Sequence, residues 1–120
     1  MQKINIKYIK IYQDQLKSIK EIKRTWPHVK KLFGKTKLNH QNLKYCHSIE
    51  EATKGADFIQ ECATENYKIK TKIMSIIGKY SKPNAIISSS SSGLLPTKIY
   101  SKCKNPSRTM IGHPFNPVYM

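Results

Sequence analysis

Residues 56–112, ADFIQECATENYKIKTKIMSIIGKYSKPNAIISSSSSGLLPTKIYSKCKNPSRTMIG, decide the fold. Ala56 to Ala63 is centred on Phe58 and Ile59 and reads as a short strand. Thr64 is placed to cap a helix, whose apolar stripe of Ile69, Ile73, Ile76, Ile77 and Tyr80 recurs at helical spacing. Pro83 closes that helix. Ala85 to Ser88 is a second strand, Leu94 to Cys103 a second helix and Thr109 to Gly112 a third strand. Strands that alternate with helices in this way imply a parallel sheet with right-handed crossovers, an α/β domain.

Working outward, Tyr12, Leu16, Ile19, Ile22, Trp26, Val29 and Phe33 form one apolar helical stripe, read as core packing. Pro27 should kink or restart that helix, and Gly34 should stop it. Ile4, Ile6 and Tyr8 suit a short strand before it, and 35–41 is a polar loop. Leu43 to Cys46 reads as another strand. Ser48 and Glu51 make a capping box that opens a short helix over Ile49 to Lys54. The serine run from Ser88 to Ser92 is too short to be a disordered tract and reads as a turn.

With 120 residues, 38% hydrophobic and 24% charged, the chain suits a folded domain rather than a disordered one. No apolar run approaches the ~20 residues of a membrane span, and the Lys-interrupted start does not resemble a secretory signal. A cytoplasmic location is the expectation. The net charge of +15 raises nucleic-acid binding as an alternative class. Of the 22 basic residues, however, only Arg24 and Arg108 are arginines, and the lysines are scattered, so specific recognition is not expected. Cys46, Cys62 and Cys103 form no C-x-x-C pair and no His pair has metal-ligand spacing, so reduced thiols and no metal site are expected.

In open parallel sheets, ligands bind beyond the carboxyl ends of the strands. Ser92 and His113 each follow a strand, one crossover apart, and should emerge on the same edge. An imidazole there can take the proton of a substrate hydroxyl while hydride leaves the same carbon for a nicotinamide. The serine hydroxyl can hydrogen-bond the same oxygen. Without further support, a lone His near a turn is a structural hydrogen-bonder and a Ser in a run is a cap.

The segments IEEATKGADFIQECATEN, SSSSSGLLP and GHPFNPVY resemble the 3-hydroxyacyl-CoA dehydrogenase superfamily over about residues 20–120. SGLLP and the H-P-F-N-P turn favour its carnitine-oxidising branch over the acyl-CoA branch. The resemblance implies a Rossmann-like fold, NAD as cofactor and a small-molecule substrate, L-carnitine or a 3-hydroxyacyl-CoA. It makes His113 the catalytic base and Ser92 a substrate- and cofactor-binding residue, with Asn116 supporting the site. Glu65 and Lys70 match positions that contact the nicotinamide cofactor. Read without the family, Glu65 is an acid favourable at a helix start and Lys70 one surface lysine among many.

Relatives of this kind begin with a strand and a G-x-G-x-x-G turn, which receives the cofactor diphosphate. Here Gly34, Gly55, Gly78, Gly93 and Gly112 lie far apart. The expectation is therefore an incomplete Rossmann-like parallel sheet with flanking helices, lacking the first strand and glycine-rich turn. Residues 1–120 would form a partial NAD-binding domain, without the C-terminal helical domain through which relatives form homodimers. A sheet without that strand has an open edge and an uncovered face, so the chain alone should be marginally stable, aggregation-prone and inactive. A basic binding module that keeps the fold without catalysis is the alternative from another class.

Overall fold

A computed structural model describes residues 15–33 and 44–115. The strand expected near Ile4, the Gly34 stop, the 35–41 loop and Asn116 lie outside the described residues. Three strands, β1 (Phe58–Glu61), β2 (Ile86–Ser89) and β3 (Thr109–Ile111), form a parallel sheet in the order β1-β2-β3. Glu61 pairs with Ser89, and Ser89 with Ile111, so all three strands end level. The α/β expectation holds. So does its basis: each return to a parallel neighbour needs a long connection.

The connection from β1 to β2 is helix α3 (Tyr67–Tyr80). Ile59, Ile87 and Ile111 point from the sheet toward Met74 and Ile77 of α3, joined by Ile99, Tyr100 and Cys103. Met74, Ile77, Ile87 and Ile99 are essentially fully buried. Each contributes roughly 1.5–3 kcal/mol relative to exposure. The opposite face is only partly covered among the described residues: Phe58, Ile86 and Met110 are 47%, 38% and 48% exposed, whereas Ser88 on the same face is fully buried beside Gly112.

Several local expectations are corrected. Asn66, not Thr64, caps α3, its side-chain oxygen accepting from the Ile69 N–H at 3.1 Å. The Asn66 N–H in turn donates to the Thr64 carbonyl at 2.8 Å, which leaves Thr64 outside the helix. The buried line of α3 is Lys70, Met74, Ile77 and Gly78. Of the expected stripe, Ile77 is buried as expected, whereas Ile73 and Ile76 are half-buried and Ile69 is 43% exposed. The helix is turned one residue further because Lys70 finds buried partners at one end and Gly78 admits Cys103 at the other. The second connecting helix is only α4 (Pro96–Ile99), not Leu94–Cys103. Tyr100 is its C-cap and donates its hydroxyl to the Met110 carbonyl, and the Cys103 N–H folds back onto the Tyr100 carbonyl at 2.9 Å.

At the amino-terminal side, α1 (Gln15–Phe33) contains Pro27 as one helix, so the proline does not restart it. A helix of 19 residues tolerates the loss of one N–H donor. Ile19, Ile22, Trp26 and Val29 are its half-buried face. Helix α2 (Ile49–Thr53) starts as expected, with the Ser48 hydroxyl accepting from the Glu51 N–H at 3.1 Å. Glu51 answers the N–H of His47, one residue earlier than a capping box requires, and this bond lowers its pKa. Of the Leu43–Cys46 strand, Tyr45 is a single bridging residue.

Candidate active site

The site is built at the level carboxyl ends of β1, β2 and β3. Ile59 and Glu61 share the covered face of β1, so the strand's alternation drives a carboxylate inward, to 5% exposure. A buried carboxylate is costly unless paired and hydrogen-bonded. Glu61 is both. The Lys70 ammonium lies 3.0 Å from each of its oxygens, the Ser89 hydroxyl donates at 2.6 Å, and the Ala63 N–H donates as well.

Lys70 is 0% exposed, which overturns its reading as a surface lysine. Its ammonium also donates to the Ala63 carbonyl at 3.0 Å and lies 3.5 Å from the Glu65 carboxylate. All its donors are therefore directed into the protein. Removing one member of such a buried pair typically costs ~3–5 kcal/mol, because the other charge is left without a partner.

Glu65 lies on the loop just before the Asn66 cap, so its carboxylate reaches sideways to the loop after β2. One oxygen accepts from the Ser91 hydroxyl, from the Ser92 N–H at 3.0 Å and from the Gly93 N–H at 3.1 Å. The Ser91 hydroxyl, then the Gly93 and Ser92 amides and the Lys70 charge, hold its pKa down to about 2 against the opposing effect of desolvation. The carboxylate is thus firmly ionised and 39% exposed.

The serine run divides by position. Ser88 is fully buried and its hydroxyl has no partner among the described residues; a side chain at Gly112 would meet that hydroxyl and force it to move. The Ser89 hydroxyl, having donated to Glu61, accepts from the Ser91 N–H at 3.2 Å. Ser92 is exposed at the tip of the turn and its hydroxyl bonds no described residue. His113 is exposed two residues beyond β3, its ring edge-on to Phe115 at 5.2 Å and 66°.

The structure therefore unites Glu65, Lys70 and the Ser92 turn. His113 stands on the same sheet edge without a direct bond to them. Glu61, Ser89 and Ser91 were not legible as site residues. The one available signal was strand parity, which puts Glu61 on the side of Ile59.

The sequence matches the 3-hydroxyacyl-CoA dehydrogenase NAD-binding domain over residues 1–120. The chain belongs to that family. Within it, the chain is 42% identical over 101 residues to an L-carnitine dehydrogenase of Pseudomonas putida, covering 84% of this chain and 32% of the relative. An L-carnitine dehydrogenase of Oceanobacillus iheyensis is 38% identical over 104 residues, with coverages of 87% and 34%. The chain spans about a third of the length of these curated relatives. In fold it is similar to the 3-hydroxybutyryl-CoA dehydrogenase of Escherichia coli, with a TM-score of 0.75 at 20% identity over 95% of this chain and 25% of that one.

NAD is the cofactor of this domain family. The residues present fit its nicotinamide end: a hydroxyl, an ionised carboxylate and an imidazole lie exposed at one sheet edge, and a carboxylate suits a cationic ring. They do not fit the diphosphate end. That end is received by the backbone N–H groups of a G-x-G-x-x-G turn, and the sequence has none.

Proposed function

We propose that residues 1–120 are part of the NAD-binding domain of an enzyme that oxidises the 3-hydroxyl of L-carnitine to 3-dehydrocarnitine. The observation that carries this reading is the level placement of the Ser92 turn and His113 beyond β2 and β3, whose last residues Ser89 and Ile111 are register partners. The likeness to L-carnitine dehydrogenases supports this substrate over a 3-hydroxyacyl-CoA. The cofactor, when bound, supplies the hydride acceptor. His113 takes the hydroxyl proton as that hydride leaves C3, and the Ser92 hydroxyl orients the same oxygen. Glu65 faces the nicotinamide side, and Lys70 holds Glu65 from beneath. Asn116 supports the turn that carries His113. The working enzyme is a cytoplasmic homodimer, with a helical C-terminal domain completing the pocket.

The test is a chimera in which these residues replace their aligned counterparts in the Pseudomonas putida relative. Carnitine-dependent NADH formation is expected, and His113→Ala should lower it by about 10²–10⁴-fold, the usual contribution of a general base. A folded chimera that prefers 3-hydroxybutyryl-CoA, or one indifferent to His113→Ala, would sink the reading.

A further inference from the structure

Glu61 touches neither the exposed hydroxyl of Ser92 nor His113, yet both of its oxygens are engaged, by Lys70, by the Ser89 hydroxyl and by the Ala63 N–H. Its oxygens receive Lys70 and Ser89; Ser89 continues directly to the loop after β2, and Lys70 reaches that loop by way of Glu65. Through Ser89, the path runs to the Ser91 N–H at 3.2 Å, and the Ser91 hydroxyl donates onward to Glu65. Through Lys70, it reaches Glu65 directly at 3.5 Å. Glu65 then receives the Ser92 and Gly93 amides. The five side chains Glu61, Ser89, Ser91, Glu65 and Lys70 thus close a ring around the base of the turn.

We propose that Glu61 is a positioning residue, which sets the turn presenting Ser92 by holding Lys70 and Ser89. The functional meaning of that turn rests on the reading of Ser92 given above; the mechanical claim does not. Two features argue for positioning rather than mere stabilisation. A hydrophobic side chain on the covered face of β1 would satisfy the core without the desolvation cost of a carboxylate. In addition, every partner of Glu61 lies at the carboxyl end of the sheet, and none in the apolar core beneath. A ring of charge-assisted hydrogen bonds holds direction as well as distance, and apolar packing does not.

Solvent-exchange rates of backbone amides, measured by NMR on the isotope-labelled full chain, test this without any chemistry. The reporters are the Ser92 and Gly93 N–H groups, which bond to Glu65 and not to Glu61 or Ser89. The control is the Ile86 N–H, bonded to the Asp57 carbonyl at 3.0 Å at the far end of β2. Ser89→Ala cuts one arm of the ring and leaves the buried ion pair intact. It should speed exchange at Ser92 and Gly93 about five- to tenfold, the loss expected when a hydrogen bond's worth of restraint is removed, with Ile86 unchanged. Glu61→Gln weakens both arms and should do the same or more. Should Glu61→Gln fail to fold, Ser89→Ala decides alone. Unchanged exchange at Ser92 and Gly93 overturns the proposal. So does an equal loss of protection at Ile86, since Glu61 would then hold the sheet and not the turn. Either result leaves the carnitine reading untouched, because no turnover is measured.

Discussion

Glu65 carries a pH dependence whose sign follows from its surroundings. Its folded pKa of about 2 lies below the ordinary value of 4.5, held there first by the Ser91 hydroxyl. A depressed carboxylate contributes stability that is complete above its unfolded pKa and is lost as pH falls through the folded one. The window therefore runs from 4.5 down to about 2. Glu65→Gln should have a lower urea midpoint than the wild type near neutrality, and the gap should close across that window. A gap independent of pH would mean that the charge of Glu65 is not what the turn uses. The contrast with Lys70 is instructive. One side chain keeps its charge half-exposed on the loop, and the other is buried 0% exposed as the counter-charge to two carboxylates.

At the scale of elements, Gly78 decides how α3 meets the segment after α4. A methyl group there would lie 2.6 Å from the Cys103 sulfur and 2.8 Å from the Lys104 backbone nitrogen. Alanine is normally favoured over glycine inside a helix by up to ~1 kcal/mol. Overpacking against backbone typically costs ~1–3 kcal/mol, and a backbone nitrogen cannot rotate away. The clash wins, so Gly78→Ala should lower the urea midpoint by an amount equivalent to about 1 kcal/mol or more. A stabilised variant would show that α3 and the Cys103 segment can separate without penalty. The same contact explains why the second connecting helix is short. Cys103 must leave the α4 axis to fill the space over Gly78, a demand invisible in the apolar spacing of Leu94 to Cys103.

For the whole molecule, the two faces of the sheet have different fates. One packs on α3, while Phe58, Ile86 and Met110 are open to solvent and lie near one another, since Phe58 pairs with Ile86 and Met110 with Ser88. A contiguous apolar patch on a sheet favours association. Phe58→Thr combined with Met110→Thr should reduce light scattering on concentration, with little change in the urea midpoint. Equal scattering from the variant would place the association elsewhere. By itself, the sequence determined the order of strands and helices, the parallel sheet and the position of Ser92 and His113 beyond two strand ends. Each of these follows from local periodicity or from a contiguous motif. Only the tertiary structure decided that Lys70 is interior, that Glu61 is its partner and that the serine run divides into buried struts and one exposed hydroxyl. Those roles depend on contacts such as Ser89 with Glu61 and Ser91 with Glu65, which are 28 and 26 residues apart. Periodicity reports where apolar side chains recur along one element. It carries no information about which buried polar group will find its partner on another.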